Sequence, residues 1–142
     1  MLFHKEKPDL RLQALNEEYE NYRRRTKQEL ADADACAARR TAAALLGVYD
    51  DLQRALAQPC TDEAYYHGIR LICENLLAAF AGLGIAPMQS EGKIFNPAYH
   101  EAVGAVTDSN RRAEEIVQVV QTGFTMEEEV LRHAKVIVAN CE

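Results

Sequence analysis

The strongest constraint on this chain is a long segment that contains almost no helix-breaking residue. Between Pro8 and Gln58 there is no further proline and only one glycine, Gly47. The segment is rich in Ala, Glu, Arg, Leu and Gln, which favour helix. It predicts one continuous helix, which would extend roughly 75 Å at a rise of 1.5 Å per residue. A small domain cannot cover one whole face of such a helix, so we expect it to pair with a second helix.

The apolar positions of this helix have the spacing of a coiled coil in its first half. Alternating steps of three and four residues are typical of the seam between two paired helices. The positions at this spacing are Leu12, Leu15, Tyr19, Tyr22 and Thr26. Extra four-residue steps follow in an alanine-rich stretch, and such insertions locally unwind a supercoil. We therefore predict a paired but weak helix that is held mainly by its ends.

A second, shorter helix is predicted from Thr61 to about Leu83. Thr61 is a suitable N-cap, with two acidic residues following it in the first turn. Gly82 and Gly84 provide the C-terminal stop. Two short helices and the ends of two long ones, from two copies of the chain, would form a four-helix bundle. The dimerisation residues that we predict are Leu12, Leu15, Tyr19, Tyr22, Leu30, Leu45, Val48, Leu52, Leu56, Ile69, Ile72 and Leu76.

From Pro87 onward the sequence changes to short runs typical of β-strands, and we call this C-terminal β domain the wing. The predicted strands and turns are Ala102–Val106, Ile116–Gln121, Lys135–Ala139, Asp108-Ser109-Asn110 and Gly123. So small a β domain is expected to pack against the helices for its stability. The predicted fold class is α+β. The predicted domains are residues 1–58 for the long helix, 59–85 for the short helix and 86–142 for the wing.

The charge distribution opposes nucleic-acid binding. The formal net charge is −6, and residues 1–58 carry as many basic as acidic side chains, so the whole excess lies in residues 59–142. A protein that binds nucleic acid needs a basic face that displaces counterions from the phosphates. We therefore expect no nucleic-acid partner.

The four cysteines have neither the spacing of a zinc site nor that of a redox pair. They are Cys36, Cys60, Cys73 and Cys141, and none belongs to a Cys-x-x-Cys motif or has a histidine at ligand spacing. We expect free thiols in a reducing cytoplasm and no metal. No signal peptide is visible, and the longest apolar run is too short to span a bilayer, so no membrane association is expected.

No catalytic or nucleotide-binding motif is present. The glycine-rich run that cradles phosphates is absent, and Gly82-Leu83-Gly84 has no third glycine at Pro87 to complete a dinucleotide fingerprint. No serine, cysteine or threonine has an evident base beside it in the sequence. We therefore predict that the chain is not an enzyme, uses no cofactor and binds no nucleotide directly.

The last third of the chain carries a pattern in two halves. The first half, Phe95 to Val103, predicts a turn that opens a strand, because Asn96-Pro97 biases the backbone away from helix. The second half begins with Gly123-Phe124 and predicts a reversal, followed by a strand in which Val136 and Val138 share a face.

This pattern resembles the carboxy-terminal signature of the GrpE family, the nucleotide exchange factors of the DnaK-type heat-shock ATPase chaperone. The signature positions are Phe95, Asn96, Pro97, His100, Ala102, Val103, Ala134 and Val136. Three other segments are similar to the family, in its order: Glu20–Thr26, Leu45–Leu56 and Gly68-Ile69.

The resemblance implies a homodimer with a paired long helix, a four-helix bundle and two wings, one of which docks on the chaperone's nucleotide-binding domain. It implies that the protein accelerates ADP release by favouring the open nucleotide cleft. The chaperone-binding residues that it implies are Arg23, Gly68, Thr122, Gly123, Phe124, Met126, Glu129, Arg132 and Val138.

Several roles remain open from the sequence. Glu129 stands where the family often has arginine, and this reversal of charge would repel a partner built for arginine. The alternative function is therefore a dimeric coiled-coil scaffold that keeps the fold and has lost exchange activity. Gly68 suits either a close approach of the chaperone or tight packing in the bundle, and Phe124 either docking or the core of the wing. Val138 and Met126 favour the interface.

Overall fold

The computed structural model describes residues 9–140, and its helices agree with the sequence pattern. Helix α1 spans Leu10–Ala57 and helix α2 spans Glu63–Gly82. The predicted long and short helices are therefore present, and together with the sheets they confirm the α+β class. Neither helix combines the length and apolar character needed to cross a membrane.

The start of α2 differs from the prediction by one residue. Its N-cap is Asp62 rather than Thr61, and the Asp62 carboxylate accepts a hydrogen bond of 3.1 Å from the backbone N–H of Tyr65. A carboxylate at this position satisfies an otherwise unpaired amide and also faces the positive end of the helix dipole. At the other end, Gly84 has a φ of +78°, which explains why a glycine follows the helix there.

Within residues 9–140, six strands form two three-stranded sheets. The strands are β1 Ile85–Pro87, β2 His100–Val106, β3 Ile116–Gln121, β4 Phe124–Met126, β5 Glu129–Arg132 and β6 Ala134–Ala139. One sheet has the order β1-β4-β5 and the other the order β2-β6-β3. The three predicted strands correspond to β2, β3 and β6, whereas β1, β4 and β5 were missed because three or four residues are too few to show an alternating pattern.

The pairing of β2 with β6 explains why the signature has two halves. These strands are parallel, and the register places His100 opposite Ala134 and Ala102 opposite Val136. Strand β3 pairs antiparallel with the other edge of β6. The two halves of the signature are therefore adjacent strands of one sheet.

Two separate apolar clusters form the core. The first joins both helices to the β1-β4-β5 sheet, and its buried members are Ala42, Leu46, Tyr49, Cys73, Phe80, Ile85 and Phe124. The second lies within the β2-β6-β3 sheet, and its buried members are Ile116, Ala134, Val136 and Val138. Val136 and Val138 thus share a face, as predicted.

The contacts divide the chain into residues 1–40 and residues 41–142. The second unit contains the end of α1, all of α2 and the described strands. The division into domains at residues 58 and 85 stays a prediction. The expectation that the wing packs against helix is consistent with the first cluster, to which both helices of this unit contribute.

Candidate functional site

A half-buried ion pair connects the end of α1 to strand β5. The Arg132 guanidinium contacts both carboxylate oxygens of Asp50, with Nη1–Oδ2 at 2.7 Å and Nη2–Oδ1 at 2.8 Å. It also donates to the backbone carbonyl of Thr122 from Nε at 3.1 Å and from Nη2 at 2.6 Å. Gln121 Nε2 donates to Asp50 Oδ2 at 3.0 Å. Because both charged side chains are only about a fifth exposed, solvent screens this pair less than a surface pair.

Aromatic side chains surround the same junction. The Phe124 ring makes edge-to-face contacts with Tyr49 at 5.0 Å and with Phe80 at 5.9 Å between centroids. The Arg132 guanidinium lies 5.6 Å from the centroid of the Phe124 ring, within range of a cation–π interaction. Burial raises the pKa of Tyr49, and a hydrogen bond with Thr122 opposes that rise. Polar and apolar contacts therefore fix β4 and β5 against both helices.

Gly123 lies where two backbones approach each other. A Cβ atom at this position would lie 2.5 Å from the Ala134 backbone nitrogen and 2.7 Å from the Met88 sulfur. Gly123 lies between β3 and β4 and is not among the residues with positive φ, so the predicted glycine-permitted reversal stays a prediction. The glycine is thus required by close packing against β6 rather than by the conformation of the turn.

The first half of the signature forms a hydrogen-bonded turn that leads into the buried His100. Asn96 Oδ1 accepts a hydrogen bond of 3.0 Å from the backbone N–H of Ala98, and the Asn96 backbone N–H donates to His100 Nδ1 at 3.0 Å. His100 Nε2 lies 3.1 Å from the Ser90 hydroxyl oxygen. Since Nδ1 accepts, the proton of a neutral imidazole is on Nε2, which donates to Ser90. Ser90 is therefore not activated by a base, and these contacts give His100 a structural role in the turn.

His100 gives the wing a predicted pH dependence. Burial, followed by Lys93 and His133, lowers the pKa of His100 from its ordinary value of 6.5. The His100 imidazole therefore binds a proton more readily in the unfolded chain than in the folded chain. As a result, the free energy of unfolding falls as the pH drops below about 6.5. We expect a lower urea midpoint at pH 5.5 than at pH 7.5, and a smaller difference in His100→Gln. An unchanged difference in that variant would contradict the assignment.

A second ionic cluster lies in the loop before β3. Glu115 accepts from Arg111 Nη1 at 2.8 Å and from Arg112 Nε at 3.0 Å. These hydrogen bonds lower the pKa of Glu115 to about 2. The carboxylate thus remains ionised across the pH range of the His100 experiment, so the two effects separate.

The predicted chaperone-binding residues occupy different environments. Phe124 and Val138 are 0% and 2% exposed and lie in separate core clusters. Two of the three apolar side chains predicted for docking, Phe124 and Val138, thus fill the core of the single chain, and the binding roles of Phe124, Met126 and Val138 stay predictions. Met126 is half-buried against the first cluster, and Arg132 is held by Asp50.

Two predicted docking positions are exposed, and a third has open space around it. Arg23 and Glu129 are exposed, and Gly68 is half-buried with nothing within 4 Å of a Cβ built on it. Tight packing around Gly68 is therefore not present within one chain. Glu129 begins β5, after an exposed turn in which Glu127 has a φ of +56°. These binding roles stay predictions.

Most predicted dimerisation positions are exposed in the single chain. Leu12 is 65% exposed, Tyr22 58% and Ile72 56%. Leu52, Leu56 and Leu76 instead pack partly against the first cluster. A second apolar stripe on α1, which was not predicted, consists of Ala42, Leu46 and Tyr49 and packs in the first cluster with residues of the wing. The steps of four and three residues in this stripe could have predicted it. No sequence pattern predicted the ion pair of Asp50.

Open grooves lie on the described part of the second unit. One, of about 560 Å³, lies beside Asp50 and is lined by α1 and by β3 residues such as Val119 and Val120. The other, of about 380 Å³, covers Ser90 and His100. Within residues 9–140, fully buried side-chain nitrogens and oxygens all have partners, and no three potential ligands cluster as a metal site.

These features define an α+β protein in which a small two-sheet wing is fastened to helices that expose many apolar side chains. The chain belongs to the GrpE family, whose model matches residues 4–140. The expected resemblance is thus confirmed.

Curated relatives agree with this assignment. The chain is 38% identical over 138 residues to Protein GrpE of Deinococcus radiodurans, covering 95% of this chain and 62% of that protein. It is 37% identical over 120 residues to Protein GrpE of Pediococcus pentosaceus, covering 84% and 63%. For Protein GrpE of Thermus thermophilus the identity is 37% over 122 residues, covering 85% and 67%. The chain therefore spans roughly two thirds of the length of these relatives.

Proposed function

We propose that this chain is a homodimeric co-chaperone that binds the nucleotide-binding domain of a DnaK-type chaperone and accelerates ADP release. The observation that carries the proposal is membership of the GrpE family across nearly the whole chain. The exposed Leu12, Tyr22 and Ile72 support pairing with a second copy, because burying them would remove apolar surface from water. The paired long helix and the four-helix bundle belong to this proposal.

The proposed mechanism is differential binding. The factor binds the open form of the chaperone's nucleotide cleft better than the closed form, and ADP favours the closed one. Binding therefore shifts the population toward the form that releases ADP. The chain itself is proposed to act without catalysis, cofactor or bound nucleotide. A cytoplasmic location fits the free thiols of Cys36, Cys60 and Cys73, since thiols persist in reducing compartments.

Stopped-flow release of a fluorescent ADP analogue from a DnaK-type chaperone tests this proposal. We expect the release rate to rise with the concentration of the factor and to saturate. A folded dimer that binds the chaperone or other proteins without changing the rate would contradict exchange activity. It would favour the scaffold, the function that the exposed Glu129 motivates.

A further inference from the structure

The Asp50–Arg132 ion pair lies at one end of a hairpin whose other end carries proposed docking residues. In the pairing of β4 with β5, Phe124 lies opposite Arg132 and Met126 lies opposite Glu129. Arg132 is thus the last residue of β5 and Glu129 the first. The two positions are about 10 Å apart at roughly 3.3 Å per residue, so a rotation at Arg132 displaces Met126 and Glu129.

The apolar contacts at this junction do not by themselves fix an angle. Burial of Phe124 against Tyr49 and Phe80 is favourable over a range of orientations, because the hydrophobic effect is non-directional. A bidentate contact of a guanidinium with a carboxylate is directional. Here the same guanidinium also donates to the Thr122 carbonyl, so its plane is held from two sides.

We propose that Asp50 and Arg132 are positioning residues for chaperone binding, which hold the β4–β5 hairpin at the angle to α1 that the chaperone recognises. This inference rests on the proposed function and changes the role of Arg132 from a contact to an internal support. A hairpin that is already oriented loses less conformational freedom on binding and therefore binds more tightly.

Two variants remove the directional contact in different ways. Asp50→Asn removes the charge and one of the two acceptor oxygens, while its volume is unchanged. Arg132→Lys keeps the charge but replaces the planar fork with a single ammonium, which cannot contact two carboxylate oxygens and the Thr122 carbonyl in the same way. For both variants we expect the factor concentration for half-maximal acceleration of ADP release to rise about tenfold. The maximal rate should stay within about twofold of the wild type, because the binding surface itself is unchanged.

Two controls separate positioning from charge and from stability. Asp51 is adjacent to Asp50 and pairs with Arg54 at 3.0 Å, but both side chains are 72% exposed. Asp51→Asn therefore changes the same charge on the same turn without affecting the hairpin. Glu115→Gln weakens the contacts with Arg111 and Arg112 elsewhere in the wing. It should lower the urea midpoint without raising the half-maximal concentration.

The measurement is made at a temperature at which circular dichroism shows every variant to be folded. The positioning role would be overturned if Asp50→Asn and Arg132→Lys both had the same half-maximal concentration as Asp51→Asn. The proposed exchange function would not be affected by that result. An equal rise in Glu115→Gln would also overturn it, because loss of stability alone would then account for the effect. A wild-type protein that does not accelerate ADP release would overturn the proposed function and this inference together.

Discussion

Gly68→Asp should abolish the acceleration of ADP release while the chain stays folded. Gly68 lies inside α2, where glycine costs about 1 kcal/mol relative to alanine, and no atom lies within 4 Å of a Cβ built on it. Nothing within one chain therefore requires glycine there, so a close approach has to come from another molecule, either the chaperone, as proposed, or the second copy in the bundle. Aspartate would place both volume and charge at that contact.

The matched control is Gly82→Asp, the same substitution at the exposed last residue of the same helix. At this uncrowded position near the C-terminal end of the helix, the aspartate costs only its unfavourable interaction with the helix dipole, about 0.3–1 kcal/mol. Stopped-flow ADP release and circular dichroism are measured for both variants. If Gly68→Asp accelerated release as well as Gly82→Asp does, Gly68 would not be a point of contact.

Gly123→Ala is expected to destabilise the wing by about 3 kcal/mol, at the upper end of the usual cost of overpacking. The added Cβ would lie 2.5 Å from the nitrogen and 2.9 Å from the Cα of Ala134. These are backbone atoms of β6, the central strand of its sheet, and they cannot move without disturbing both neighbouring strands. Urea unfolding measures the loss.

Gly104→Ala is the control for this substitution. Its Cβ would meet the Ile137 side chain at 3.5 Å, which is ordinary van der Waals contact, and Gly104 is also a strand residue of the wing. We expect its free energy of unfolding to change by less than about 1 kcal/mol. If Gly104→Ala and Gly123→Ala lowered the free energy of unfolding equally, β6 would be able to shift and make room for the added methyl group.

The helices could be predicted because their signals are local. The run of helix formers after Pro8 and the break at Pro59 place α1 within a residue or two of its observed bounds, Leu10–Ala57. Strand β3 was predicted at its observed bounds, because Ile116–Gln121 has the composition of a strand and lies between clear turns. Family membership was equally accessible, since the signature residues are close together within each half.

Contacts between distant segments could not be predicted from local patterns. Asp50 and Arg132 are 82 residues apart, and an acidic residue on a helix is usually solvated. The sequence places Val136 and Val138 on one face of β6, but a period of two does not say which face is buried. For this reason Val138 was assigned to a docking surface, although it fills the core of the β2-β6-β3 sheet.

The most direct test of differential binding is the affinity of the factor for the chaperone, measured by calorimetry with and without ADP. Linkage makes the effect reciprocal. ADP must raise the dissociation constant of the exchange factor by the same ratio by which the exchange factor raises the dissociation constant of ADP. We predict a clearly higher dissociation constant in the presence of saturating ADP. An unchanged dissociation constant would contradict the account, because a ligand with equal affinity for both forms of the cleft cannot shift their populations.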